Sequence, residues 1–306
     1  MNIERKVKYK NIYWNDVQDP DDEFIKHLGD KYKFHELDLE DLLSEDQRSK
    51  IDDYDKYIFI VIHFPIYDKK TKVIKVSEMH LFVGRNYLIT LHKGDNKLIE
   101  DFMNELKILK NKKESMSNGT GYLLYEIVAR IFENCFPILD SVEKFLNGIE
   151  KDVFDEVSEQ KDMLKDILLA KKNINIFRRL IGPQRTVMAS LEHKTKKLSG
   201  KDLENYFDDV VDDMEKIWNN LEELRELVGF LQDTNESVLT HKTNNTITIL
   251  TAFSVTMLPL TLITGFYGMN VSLPFASQMV VVWWILGGMA LLVFVMLIVF
   301  KLKKMI

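Results

Sequence analysis

Asn244, Asn245, Thr248, Thr251, Ser254, Thr256, Thr261 and Thr264 stand in a stretch of chain that is otherwise apolar. Their carboxamides and hydroxyls are uncharged and accept hydrogen bonds, including those donated by water. In hydrocarbon such groups are costly unless they face protein or water. At roughly 100° per residue, Asn244, Thr248, Thr251, Leu258 and Gly265 fall on one side of a helix. The residues alone leave two readings open. One is a pore wall, which needs several such helices around an axis and hence an oligomer. The other is Ser and Thr contacts that hold membrane helices together.

The surrounding chain sets the scene for either reading. From Thr243 to Phe300 there are 58 residues without Asp, Glu, Lys, Arg or His. A bilayer crossing takes about 20 apolar residues, so this run has room for two crossings and a short turn, which excludes a simple soluble enzyme. Spans are predicted at about 246–266 and 279–300. The second is large and apolar apart from Gly287-Gly288, so it suits lipid, and Trp283 and Trp284 fall where interfacial aromatics belong. Lys242 precedes the first span, and Lys301, Lys303 and Lys304 follow the second. The positive-inside rule then places both termini in the cytoplasm. The N-terminus is charged and no apolar signal region follows it, which argues against secretion.

Residues 1–242 hold all 47 acids and 38 of the 41 Lys and Arg, a net charge of −9. Such acidity argues against a nucleic-acid partner and fits a cationic one. Cys135 is the only cysteine, so there is no intrachain disulfide. The seven His form no His-x-x-x-His pair, so zinc hydrolase chemistry has no support, and no Gly-x-x-x-x-Gly-Lys phosphate loop is present.

The elements that would carry these residues fall into blocks. Residues 1–115 read as an α/β domain with a mixed sheet. Tyr57–Phe64, Met79–Val83 and Tyr87–Leu91 are strand-like, with a turn at Gly84-Arg85-Asn86. Asp19-Pro20-Asp21-Asp22-Glu23 reads as a helix start, with Asp19 as the cap and Pro20 in the first turn. Residues 107–120 form a polar link. Residues 121–200 read as two or three antiparallel helices broken at Pro137, Gly148 and Gly182-Pro183.

Leu203, Phe207, Val210, Met214, Ile217, Leu221, Leu224, Val228 and Leu231 then repeat at alternating spacings of four and three. That is the seam of a coiled coil or bundle, which packs on the preceding helices or asks for neighbouring chains. One stalk helix over 201–266 would continue into the first span. A loop at 267–278, the second span at 279–300 and a basic tail at 301–306 complete the chain.

Tyr267-Gly268-Met269-Asn270, closing the first of two C-terminal spans, resembles the signature of the CorA family of divalent-cation channels. It follows Met257-Leu258-Pro259-Leu260-Thr261-Leu262-Ile263-Thr264-Gly265-Phe266, and the placement strengthens a short motif. Upstream, Leu39-Glu40-Asp41-Leu42-Leu43 with Gln47-Arg48-Ser49-Lys50-Ile51 resembles the family's Leu-Glu-Asp-(Ile/Leu)-Leu…Gln-Arg-Pro-Lys-Val segment.

The resemblance implies a homopentameric funnel in the plasma membrane. An α/β cytosolic domain would sit on long stalk helices, and two transmembrane helices would form the pore and the lipid-facing layer. The family implies a channel rather than an enzyme. It would pass hydrated Mg²⁺, and Co²⁺ or Ni²⁺, with no organic cofactor. The alternatives are a Zn²⁺ or other transition-metal transporter of the same fold, with or without proton coupling, and a non-transporting membrane sensor.

By the same resemblance Gly268, Met269 and Asn270 form the selectivity filter. The Asn270 carbonyl, repeated around a ring, would accept hydrogen bonds from the waters that Mg²⁺ keeps. Asn244 matches a polar ring at the cytoplasmic end. Ile247, Leu250 and Leu258 match an apolar constriction, and Thr261 and Gly265 match lining positions nearer the outside; Thr248 and Thr251 join the lining through the shared helix face. Asp41 matches a regulatory Mg²⁺ ligand and Asp209 its partner on the neighbouring subunit. Glu40 would belong to a weaker adjoining site, and Asp233 matches a stalk position near the membrane. Two departures stand out: Val271–Gln278 carries no acid, and Ser49 replaces the common proline.

Overall fold

The computed structural model describes residues 2–44, 47–94, 96–154, 160–199, 202–271 and 279–303. Loop residues 272–278 and tail residues 304–306 lie outside the described residues. The chain divides into two compact units, Met1–Gln232 and Asp233–Ile306.

The first unit is built on β1 (Ile3–Tyr9), β2 (Ile12–Gln18), β3 (Lys50–Asp53), β4 (Tyr57–Asp68), β5 (Val73–Gly84) and β6 (Tyr87–His92). They form one sheet in the order β1-β2-β6-β5-β4-β3. The β2–β6 pair is parallel and the other pairs are antiparallel, so the sheet is mixed as predicted.

Its helices are α1 (Asp22–Tyr32), α2 (Glu36–Leu43), α3 (Lys97–Ile108), α4 (Lys110–Ser115), α5 (Thr120–Glu133), α6 (Cys135–Phe154) and α7 (Gln160–Ser199). The long α8 (Glu204–Tyr267) supplies residues to both units, and α9 (Met279–Leu302) belongs to the second.

β4 explains why its sequence is apolar without a break. Successive strand residues point to opposite faces, and both faces of this sheet are covered. Phe59 and Val61 enter one core with Phe82, Ile89 and the α1 and α2 residues Ile25, Leu28 and Leu42. Ile58, Ile60, Ile62 and Phe64 enter a second core that runs through α3 and α5–α8 as far as Leu231.

Two buried carboxamides tie α7 to this sheet. The Gln184 Oε1 accepts from the His63 N–H of β4 at 2.9 Å, and its Nε2 donates to the His63 carbonyl at 2.7 Å. Asn173 treats the start of β5 alike: its Oδ1 accepts from the Ile74 N–H at 3.0 Å, and its Nδ2 donates to the Lys72 carbonyl at 2.6 Å. The two sit eleven positions apart, about three helical turns, and so lie on one face of α7.

Several local expectations give way. Asp21, not Asp19, caps α1: its Oδ1 accepts from the Phe24 N–H at 2.9 Å. The Asp19 carboxylate is engaged by the Gly94 N–H at 2.8 Å, and its own backbone is left-handed at φ 50°. The polar link is largely helical, because α4 and a 3₁₀ turn at Met116–Asn118 occupy it and Met116 is fully buried.

Gly148 and Pro183 lie inside α6 and α7 without breaking them. Burial of Ile181, Gln184 and Met188 on the packed face of α7 outweighs a local proline cost of about 3 kcal/mol.

The heptad seam needs no neighbouring chain to be buried. Leu203 through Leu231 are all buried within the first unit. Arg178 pairs with Glu222 and Arg185 with Glu215, joining α7 to α8 beside Trp218. The seam is therefore filled by α8's own protomer and does not call for a neighbouring chain.

Candidate ion pathway and acidic positions

The membrane-length part of α8 is exposed nearly all round on the single chain, apart from one narrow covered strip. Ala252 is buried, and Thr256, Pro259, Leu260 and Ile263 are half-covered. Asn244, Ile247, Leu250, Thr251, Leu258, Thr261 and Gly265 are exposed on the single chain, with Thr248 half-covered at the edge of their stripe. At 100° per residue the centres of these stripes lie roughly 150° apart. Seven of the eight candidate pore positions are exposed and Thr248 is half-covered; Ile249 and Phe253, outside their stripe, are exposed as well.

The hydroxyls are partly satisfied from within. Thr246, Ser254, Thr256, Thr261 and Thr264 each donate to the carbonyl four residues earlier, at 2.8–3.0 Å. Each keeps its acceptor lone pairs, so a Thr on the bare stripe offers oxygen to whatever faces it.

The end of α8 is tight. The Gly268 N–H donates to the Thr264 carbonyl at 2.9 Å, and that of Met269 to the Phe266 carbonyl at 3.4 Å. A Cβ at position 268 would lie 3.0 Å from the Thr264 oxygen, a tight contact that the backbone would have to ease by a few tenths of an ångström. Asn270 follows the helix end and is exposed, with its carboxamide beyond the bare stripe.

The four acidic positions are not gathered in one chain. Glu40 is exposed on α2. Asp41, one residue on, is engaged by a cation of its own protomer: Lys50 Nζ lies 2.6 Å from Asp41 Oδ2 and 2.7 Å from Asp52 Oδ2. Burial lowers the Lys50 ammonium, but hydrogen bonds to Asp41 and Asp52 outweigh it and the net shift is upward.

Asp38, on the same helix, is fully buried under the Tyr54 and Tyr57 hydroxyls, which donate to it at 2.9 and 2.7 Å. Burial raises its carboxyl more than those bonds lower it.

Asp209 is exposed on α8. After burial, its charge is the next largest influence raising the Tyr125 phenol. Asp233 is exposed on the same helix. Among the described residues of one chain, no three His, Cys, Asp or Glu side chains converge to hold a metal ion.

Sequence reasoning missed a second charged cluster. His63 Nε2 lies 3.2 Å and His80 Nε2 2.8 Å from the two carboxylate oxygens of Glu78. His63 and Glu78 face each other across β4 and β5. Alternation along β5 put His80 on the face of Glu78, but no local signal gives the register that brings in His63.

Among the described residues, two helices are long and apolar enough to cross a membrane, the C-terminal part of α8 and α9. Joined to a mixed α/β unit with helical additions, they define a two-span membrane-protein architecture. Residues 9–303 match the family described as CorA-like Mg2+ transporter protein, and the chain belongs to that family.

It is 26% identical over 283 residues to the cobalt/magnesium transport protein CorA of Thermotoga maritima, covering 92% of this chain and 79% of that one. It is 29% identical over 295 residues to the putative metal ion transporter YfjQ of Bacillus subtilis, covering 94% and 88%. The complete structure of the CorA magnesium transporter from Methanocaldococcus jannaschii matches with TM-score 0.80 at 23% identity, over 96% of this chain and 92% of that one. That likeness establishes a shared fold along nearly the whole chain.

Proposed function

We propose that this protein is a homopentameric channel that passes hydrated Mg²⁺ across the plasma membrane, with both termini cytoplasmic. Co²⁺ and Ni²⁺ are secondary cargoes. The observation that carries the reading is the bare stripe of α8, which bears Asn244, Thr248, Thr251 and Thr261 among apolar residues and ends at Gly268-Met269-Asn270. Mg²⁺ dehydrates reluctantly, so a ring of Asn270 carbonyls that binds its waters selects the ion without stripping it. The Ile247, Leu250 and Leu258 level is apolar and closes by dewetting.

Regulation would come from internal Mg²⁺ bound between protomers through Asp41 and Asp209, with Glu40 and Asp233 as further acidic positions. Facing carboxylates repel one another when empty and are bridged when the ion is bound.

The decisive experiment is uptake of Mg²⁺, Co²⁺ and Zn²⁺ by purified protein in liposomes, with and without a pH gradient. Mg²⁺ uptake independent of the pH gradient is the expected result, and Asn270→Ala should lower it at least tenfold. Uptake of Zn²⁺ alone, or only with a proton gradient, would replace this reading with a transition-metal transporter. No flux of any ion would leave a membrane sensor.

A further inference from the structure

Lys50 occupies the carboxylate that regulation is proposed to use. Its ammonium bridges Asp41 of α2 and Asp52 of β3 at 2.6 and 2.7 Å. β3 is an edge strand, and Lys50 and Asp52, two residues apart on it, share a face. The ammonium also lies 5.4 Å from the centre of the Phe59 ring. The Asp41 side chain is 17% exposed and that of Lys50 33%. The pair is thus partly withdrawn from water, where an ion pair is worth more than on an open surface.

We infer that Lys50 is a tethered competitor for the regulatory cation at Asp41: its ammonium holds the carboxylate when ion is scarce, and a divalent cation must displace it to bind. The inference rests on the proposed regulatory role of Asp41 and adds what sets the concentration at which that site fills. Displacement leaves no orphaned charge, because Asp52 keeps the released ammonium paired. A tethered group competes at the high effective concentration that its attachment gives it. Asp41 therefore fills only when internal Mg²⁺ is high enough to overcome that competition. Arginine at position 50 would compete similarly, whereas an uncharged side chain of similar length would not.

The test is the cytoplasmic-side Mg²⁺ that halves the current through full-length protein in excised patches of proteoliposomes. Lys50→Met, and Lys50→Gln as a second variant, should lower that concentration roughly fivefold, the size expected for loss of one such ion pair. Lys50→Arg should stay within about twofold of the unaltered protein, the change that remains when a monovalent partner is kept. Asp41→Asn should raise the concentration. If Asp41→Asn raises it while both uncharged Lys50 variants leave it unchanged or raise it, the competitor is overturned and the regulatory role of Asp41 stands. If Asp41→Asn has no effect, the regulatory reading and the competitor fall together.

Discussion

At the scale of single residues, the charged groups of the cytosolic unit are set by their neighbours more than by their exposure. Burial alone would raise the Glu78 carboxyl. Hydrogen bonds from His63 and His80, with their charge, outweigh it and bring it from 4.5 to about 2. A carboxyl lowered on folding stabilises the fold only while it is ionised. The Glu78 contribution is therefore complete above about pH 4.5 and fades as pH falls through about 2. Glu78→Gln should lower the melting temperature of the detergent-solubilised protein at pH 7. The gap to the unaltered protein should narrow steadily below pH 4.5. Equal melting temperatures at pH 7 would show that the cluster contributes nothing to stability.

At the scale of elements, α7 is fixed to the sheet by Asn173 and Gln184, whose carboxamides take the backbone groups of Lys72, Ile74 and His63 as a neighbouring strand would. Gln184→Leu leaves the His63 N–H and C=O buried without partners, each costing about 1–3 kcal/mol. Guanidinium denaturation followed by tryptophan fluorescence should report a loss of at least about 2 kcal/mol. An unchanged midpoint would mean that other groups satisfy His63.

These bonds also mark how far the sequence was legible. Period-two and heptad patterns belong to single elements, so Tyr57–Phe64, the seam from Leu203 to Leu231 and the two apolar spans could be read directly. Gln184 with His63 and Lys50 with Asp41 each join separate elements through a register that no local pattern encodes. The same limit explains the misplaced α1 cap, since Asp19 is drawn to Gly94, which is close in space and distant in sequence.

At the scale of the whole molecule, the question is which surface meets other copies of the chain. The α8 seam is spent on α8's own protomer, so an assembly must rest on other surfaces. The bare stripe of the first span is the strongest candidate. In an oligomer that closes around this stripe, equivalent residues of adjacent protomers approach one another across the axis, whereas Ile263 on the covered side stays within its own chain. Cysteine chemistry can separate these cases, because the native Cys135 is fully buried and burial pushes its thiol up, leaving it unreactive. In membranes treated with a mild oxidant, Leu258→Cys should give a covalent dimer between chains and Ile263→Cys should give none. The native mass of the detergent-solubilised protein should be five times that of one chain. Cross-linking at 263 with none at 258 would turn the helix around, place Asn244, Thr251 and Thr261 against lipid, and remove the pore that the flux experiments assume.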